Sequence, residues 1–464
     1  MFKIRPNPSR RHSAPHRFRS PFVGRCETLE ERRLLSAGAF DSTFGTGGLA
    51  TAQVGTSSDS ANGVAIQTDG KVVTAGGNIV NANENHFALA RFTTGGVLDT
   101  SFGSGGIVST SFGKNVYASA SAEALQADGK IVAVGVASEG TPGVGVPEDF
   151  ALARYNTNGT LDTSFGSKGK VTTHITNGND PASAVEIYSA SDPNGNTGKI
   201  VLAGSSLQGA IRDFTLVRYN TDGTFDTSFG NGGIVVTSIG TGPSSAYGEA
   251  IQPDGRIVVV GYARSGGPNE FALARYNANG SLDASFGSGG TVITGFAGLN
   301  DRANAVVLQG DGKIVAVGYA TALDPSTGKD VESIALARYN TDGTLDATFG
   351  SGGLVTSDIF GGTNQVANAA VLDANGNIDV SGSYSNSGGS VFLVARYTSG
   401  GALDSSFGTG GVVTAAFTGS NPAAYGIAIY PPSDPINGGK IVAAGISGSI
   451  SNGSLKIAVA RFLG

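Results

Sequence analysis

FALARYNANGSLDASFGSGG, residues 271–290, recurs with small changes seven times along the chain. The first aspartate of its LDxSFG core falls at Asp41, Asp99, Asp162, Asp226, Asp283, Asp346 and Asp404, at intervals of 57–64 residues that average about 60.5. The arginine of its ARY core keeps step at Arg91, Arg154, Arg218, Arg275, Arg338, Arg396 and Arg461. A third marker, a tight turn ahead of an apolar run, tracks both: DGK at 69–71, 128–130 and 311–313, GK at 198–199 and 439–440, DGR at 254–256, NGN at 375–377. Three markers in one register define a repeat array from about residue 40 onward.

Within one period every local signal is strand or turn. In residues 245–297, AYGEAIQ (246–252) leads through P-D-G to RIVVVGYA (256–263). FALARYN (271–277), an Asn-Gly turn and TVITG (291–295) follow. Short apolar runs mixed with alternation suit strands covered on both faces, and the Gly and Asn-Gly punctuation is hairpin chemistry. Each repeat therefore supplies four strands, A to D, which cannot bury their faces alone but can be covered by neighbours. The chain opens on a D-type strand, GLATAQV (48–54), and its last strands are KIVAAG (440–445) and LKIAVARF (455–462), with no D strand after them. The extra strand at one end matches the missing one at the other. The expectation is an all-β fold, a seven-bladed β-propeller of about 60 residues per repeat with the N-terminal strand closing the last blade. A right-handed β-solenoid is the runner-up, and it would need capped ends that the sequence does not offer.

Composition narrows the class. Glycine supplies 73 of 464 residues without a G-x-y period, against a usual share near 7 %, and Pro numbers only 16, so collagen is excluded. A hydrophobic share of 39 % is enough for a core. Residues 1–36 carry nine Lys and Arg against Glu27, Glu30 and Glu31, while the rest of the chain has a net charge of −12. That acidic body has no basic stripe and should repel nucleic acid. The one cysteine, Cys26, lies in the basic segment, so the repeats hold no disulfide and no thiolate metal site. No apolar run approaches the ~20 residues of a membrane span, and no standard signal-peptide core is present. Residues 1–36 are expected to be a targeting or disordered segment and 37–464 the repeat domain, acting as a monomer.

The repeated side chains suit a scaffold. Arg and Asp eight residues apart, as in Arg154 and Asp162, can form a partly buried bidentate pair that pins the C strand to the loop leading into D. An active site needs one constellation, not a regular series of seven. Phe44, Phe102, Phe165, Phe229, Phe286, Phe349 and Phe407 plug the gaps between blades. N-T-D-G-T-F-D (220–226) and N-T-D-G-T-L-D (340–346) place oxygens at short spacing, so calcium is weighed. Asx or type I turns explain the same letters, and the copy TTGGVLD (93–99) has no ligand before its glycines. No cofactor is expected. His86 and His174 are the only repeat-domain histidines and sit in different repeats, and there is no nucleophile elbow or phosphate loop. No catalytic residue is assigned, although carboxylates could still converge across a central face.

Individuality lies between strands B and C, at 77–86, 136–149, 205–213, 262–270, 319–333, 382–390 and 446–454, and in D–A connections such as HITNGNDPAS (174–183). In a propeller both loop sets fall on one face. That face is varied and polar, the usual layout of a binding surface on a rigid scaffold. Its candidates are Glu84, His86, Glu139, Glu148, Asp149, Asp180, Arg212, Asp213, Arg264, Glu270, Asp324, Asp330 and Glu332.

Two resemblances add to this reading. ALARYNTDGTLDTSFG-like phrases and DGKIVAVG, carried in register through residues 40–464, resemble the bacterial delta-60 repeat, a family classed as β-propeller with no established catalytic residues. ETLEERRLLSAG (27–38) resembles an N-terminal motif of large exported planctomycete proteins. The resemblances imply a secreted or cell-surface protein. The function expected is binding or adhesion to an extracellular protein or glycan, with a purely structural surface role or a carboxylate-dependent polysaccharide hydrolase or lyase as alternatives.

Overall fold

The structure, a computed structural model, describes residues 36–464 except 82–83, 140–146, 297, 326, 362–363, 387–388, 418, 420 and 450–452. The basic segment and most of ETLEERRLLSAG therefore lie outside the described residues, as do the middle of the 136–149 loop and the side chain of Glu139. Ser36–Gly464 forms one compact unit.

The described residues form 28 strands in antiparallel quartets. β1 (Leu49–Ala52) stands alone in sequence. The first quartet is β2 (Gly63–Ile66), β3 (Val72–Asn81), β4 (Glu84–Phe92) and β5 (Ile107–Thr110). The second is β6 (Val116–Leu125), β7 (Ile131–Glu139), β8 (Asp149–Tyr155) and β9 (Lys170–Thr173). β10 (Ala182–Ile187), β11 (Ile200–Gln208), β12 (Ile211–Tyr219) and β13 (Ile234–Thr237) make the third. The fourth comprises β14 (Ser244–Ile251), β15 (Ile257–Arg264), β16 (Asn269–Tyr276) and β17 (Thr291–Thr294). The fifth runs β18 (Asp301–Leu308), β19 (Ile314–Leu323), β20 (Asp330–Tyr339) and β21 (Leu354–Ser357). Then come β22 (Asn364–Leu372), β23 (Ile378–Asn386), β24 (Gly389–Tyr397) and β25 (Val412–Ala415). The last three strands are β26 (Ala423–Ile429), β27 (Ile441–Ser447) and β28 (Lys456–Phe462). β1 pairs antiparallel with β28, Leu49 opposite Ala460 and Ala52 opposite Ile457, so the seventh quartet is completed from the far end of the chain. A single parallel pairing, Asn85 with Tyr117, joins the first two quartets into one sheet.

The B strands are apolar on both sides because each separates two interfaces. Along β3, Val73 and Ala75 face a cluster with Ala118, Ile131 and Ala133 of the second quartet. Val72, on the opposite side of the strand from Val73, faces Val442, Ala444 and Val459 of the seventh. Every one of these residues is fully buried. At about 1.5–3 kcal/mol per buried Val or Leu, these inter-sheet layers are the main stabilising term. The first strands contact in a cycle: β2 with β6, then β10, β14, β18, β22 and β26, and β26 with β2.

One glycine per B strand is demanded by sterics. Most A strands carry a bulge, between Ala246 and Gly248 in the fourth quartet. The bulge pushes the Ser245 carbonyl so close that a Cβ on Gly261 would lie 1.9 Å from it. Gly135, Gly204, Gly318, Gly382 and Gly445 meet the same obstruction in their own quartets. This explains the glycine in IVAVG and IVVVG in terms of close approach.

Candidate functional site

The repeated arginines are consumed by the scaffold. Nε of Arg91, Arg154, Arg218, Arg275, Arg338 and Arg461 lies 2.7–2.9 Å from the carboxylates of Asp99, Asp162, Asp226, Asp283, Asp346 and Asp41. Each of these arginines also donates through Nη1 to a turn carbonyl of the next repeat: Thr157, Thr221, Ala278, Thr341, Ser399 and, for Arg461, Thr94 of the first repeat. All seven guanidinium groups lie over the repeat phenylalanines, 4.4–4.7 Å from the ring centroids. Those rings in turn face the next repeat; a Cβ on Gly159 would meet Phe102 at 2.9 Å. Burial works against ionisation of Asp99, but hydrogen bonds from Ser101 and Lys71 and the charge of Arg91 outweigh it and hold its pKa down to about 2.

Arg396 departs from the pattern. It pairs with Asp379, its cross-strand neighbour, at 2.7 and 3.0 Å, and not with Asp404. The surroundings differ too: in the preceding repeat the Gly350 amide donates to the Gly400 carbonyl of a C–D turn. The glycine at Gly408 binds the Ala37 carbonyl instead. Asp379 replaces the valine found at Val132, Val258 and Val315, and Asn377 replaces the lysine of DGK. Burial raises the Asp379 pKa to about 6 against the pull of Arg396.

The varied-loop candidates fall into small local groups. Glu84 and His86 join at 3.0 Å, with His86 Nδ1 2.9 Å from Ser109 Oγ, in a row on the first sheet. Asp149 meets His174 at 2.8 Å and raises its pKa. Asp180 is buried and accepts from the Thr176 amide and hydroxyl at 2.6 and 2.7 Å and from the Leu207 amide of β11 at 3.2 Å; buried Asp213, on β12, accepts from Ser238 beyond β13 at 2.9 Å. Asp324 accepts from Thr327 at 2.9 Å within its own turn, and Asp330 is exposed at the start of β20. Glu270 is half-buried beside Gly295. The turn aspartates weighed for calcium are engaged, Asp222 by the Thr224 amide and hydroxyl at 3.0 and 2.7 Å. Among the described residues no group of three or more His, Cys, Asp or Glu is placed to hold a metal ion.

Two further groups lie on the first strands, where the repeat period conceals them. The first lines a cavity of about 260 Å³ walled by β2, β6, β10, β14, β18, β22 and β26. Glu123 and Glu249 sit at one equivalent position, where the others have Val64, Val185, Val306, Ala370 and Ile427, and Glu186 stands one position further along its strand, opposite Val201. The carboxylate oxygens of Glu123 and Glu249 are closed to solvent and make no hydrogen bond. Burial raises all three pKa values, that of Glu186 to about 7, and the charge of Glu186 raises Glu249 further.

The second group gathers side chains at the loop ends of these strands. The Arg302 guanidinium lies between two tyrosine rings, 4.6 Å from the Tyr247 centroid and 5.1 Å from that of Tyr319, its cross-strand partner. Tyr247 also meets Tyr262 at 6.2 Å. Arg212, Arg264 and Arg302 all act on the Tyr262 hydroxyl electrostatically, opposing the rise in pKa that burial causes. Glu148 has its pKa raised by burial, offset in part by Arg212, and Glu332 stands in the same relation to Arg302. Of these, Arg212, Arg264, Glu148 and Glu332 are visible as varied-loop charges. Tyr262 and Tyr319 open the varied segments 262–270 and 319–333, where charge does not mark them, and Tyr247 and Arg302 lie within A strands and are detectable only as departures from neighbouring copies.

A family model described as "Domain of unknown function (DUF5122) beta-propeller" matches residues 67–102, 126–165, 196–229, 252–286, 309–349 and 374–407. Each matched segment ends on the phenylalanine of the repeat. No curated protein matches the chain. Solved structures similar to it include the polysaccharide lyase Uly1 (11 % identity, 87 % of this chain and 90 % of that one, TM-score 0.47). An α-L-arabinofuranosidase of Fusarium graminearum in complex with arabinobiose matches at 11 % identity over 73 % of this chain and 91 % of that one, with TM-score 0.48. Chaetomium thermophilum Sqt1 bound to the N-terminus of a ribosomal protein matches at 12 % over 89 % and 99 %, with TM-score 0.45. The fold is β-propeller-like, built from repeated four-stranded antiparallel sheets. No helix among the described residues is long and apolar enough to cross a membrane.

Proposed function

We propose that the seven quartets are the blades of a closed seven-bladed β-propeller of the delta-60 repeat type, exported and monomeric, that binds a protein or glycan through its varied face. The contact cycle of the first strands and the β1–β28 pairing support closure. The observation that carries the binding reading is a division of labour among the arginines. The repeat arginines are ion-paired inside the scaffold, whereas Arg212, Arg264 and Arg302 of the varied face meet only neutral partners among the described residues: Ser205 at 3.0 Å, Asn269 at 3.3 Å and Asn304 at 2.8 Å. Cations that make no ion pair, beside half-buried tyrosine faces, are the elements of a recognition surface.

The carboxylate-dependent enzyme reading draws on Glu123, Glu186 and Glu249, whose raised pKa values suit general acids. Against it, the oxygens of Glu123 and Glu249 have no access to solvent, so a substrate could not reach them without rearrangement of the walls.

The test is capture of the producer's envelope proteins and polysaccharides on the immobilised full chain, with and without calcium. Saturable capture that is lost when the 319–333 loop is replaced by a short Gly-Ser linker is expected. Capture indifferent to that loop, or none, would leave the structural surface role.

A further inference from the structure

We infer that the strip formed by Tyr262, Tyr247, Arg302 and Tyr319, with Arg212 beside it, is a subsite for a carboxylated sugar unit, so that the ligand is a uronate-bearing polysaccharide. This deepens the binding reading above and rests on it. The strip runs across two neighbouring sheets: Tyr262 and Tyr247 rings 6.2 Å apart, Tyr247 4.6 Å from the Arg302 guanidinium, Arg302 5.1 Å from Tyr319. All four side chains are half-buried, with their bodies packed and the rest open to solvent. A tyrosine face offers an apolar plate to the C–H side of a pyranose ring, and the hydroxyl at its rim can hydrogen-bond the sugar oxygens.

Arg302 sets the charge of the ligand. Its Nε is spent on Asn304 Oδ1 at 2.8 Å, and no carboxylate of the described residues lies within ion-pair distance of it. The two flanking rings fix the plane of the guanidinium while leaving its terminal nitrogens free to form the paired N–H···O bonds that a carboxylate accepts. Arg212 likewise has only a neutral partner, Ser205, at 3.0 Å. Glu148 and Glu332 act on Arg212 and Arg302 only from beyond ion-pair distance, so both guanidinium groups stay open to a direct pair with an anion, which a neutral glycan does not supply. An acidic peptide supplies carboxylates on flexible stems, but no ring to lie on three tyrosines. A uronate supplies both.

The experiment is calorimetric titration of the full chain with polygalacturonate, with neutral galactan, polyglutamate and dextran sulfate as parallel probes, at low and moderate salt. Saturable binding to polygalacturonate is expected, at least about tenfold weaker in Arg302→Gln and in Tyr319→Ala, with no binding to galactan. Arg302→Gln loses ring contacts but breaks no ion pair, so it should keep a cooperative melt close to that of the wild type, which separates lost binding from lost fold. Equal binding of galactan, polyglutamate or dextran sulfate, or unchanged affinity in Arg302→Gln, would overturn the assignment. Failure with polygalacturonate while the 319–333 loop still governs capture of another ligand would overturn this inference and leave the binding reading in place.

Discussion

Arg461 donates through Nε to the carboxylate of Asp41 at 2.8 Å, across 420 positions of sequence, and the same guanidinium reaches the Thr94 carbonyl of the first repeat at 2.7 Å. One side chain thus ties together the two ends of the repeat array and the repeat that follows. Both partners are almost wholly buried, Arg461 at 1 % and Asp41 at 3 % exposure. Breaking a buried pair by removing one charge leaves the other uncompensated and costs about 3–5 kcal/mol. Asp41→Asn is therefore expected to lower the urea midpoint, and to speed hydrogen exchange first at Leu49–Ala52. A variant whose β1 amides remain as protected as those of β28 would show that the pair does not hold the seam.

Three of the five tyrosines that follow a repeat arginine bond a hydroxyl one repeat away. Tyr155, Tyr219 and Tyr276 place their hydroxyls 2.6–2.9 Å from Thr110, Thr173 and Thr237 of the preceding repeat. In the two copies where the aromatic is Phe, at Phe92 and Phe462, the equivalent D-strand residue is Ala52 or Ala415, in the same buried cluster. A hydroxyl is present on both sides or on neither, as expected if an unpaired buried hydroxyl costs about 1–3 kcal/mol. Tyr276→Phe and Thr237→Ala should each destabilise by about 1 kcal/mol, and the double variant by clearly less than the sum. Strict additivity in denaturant unfolding would refute the coupling.

Stability should peak in mild acid. Asp99 and its equivalents titrate lower in the folded chain than the unfolded value near 3.9, so they add stability that is complete above about pH 5 and lost as pH falls toward 2. Glu123, Glu186, Glu249 and Asp379 titrate higher than their unfolded values, with Glu186 at about 7 and Asp379 at about 6. Above pH 4 the unfolded chain ionises these groups while the folded chain retains their protons, so stability declines as pH rises through 6 and 7. Urea midpoints measured from pH 3 to 9 should be highest near pH 5. Glu186→Gln should flatten the alkaline limb; a limb unchanged in that variant would remove Glu186 from the account.

How much of this was legible in the sequence depends on repetition. Arg275 and Asp283 could be read as scaffold because seven copies of the phrase exist, and the D-type strand at 48–54 announced its pairing with the last C strand. The alternation of Tyr with Thr and Phe with Ala was also on the page as letters, but only contact between repeats gives it meaning. Asp379 is a single deviation from the valine of the other six copies, and no spacing rule exposes it. Arg212 and Arg264 stand out as charges of the varied segments. Tyr319 opens the segment 319–333, but an aromatic there reads as core, and Tyr247 and Arg302 lie on A strands, where a side chain near the mouth of the cavity follows the same alternation as one in the core.

The division between scaffold and recognition surface is tested most directly by melting two arginine variants side by side, with no ligand required. Arg275 is buried and paired with Asp283 at 2.8 Å, whereas Arg302 is half-buried and makes no ion pair among the described residues. Arg275→Ala should lose about 3 kcal/mol or more and melt several degrees lower, while Arg302→Gln, which loses ring contacts but no ion pair, melts far closer to the wild type. The opposite pattern, a stable Arg275→Ala and a weakened Arg302→Gln, would contradict the account.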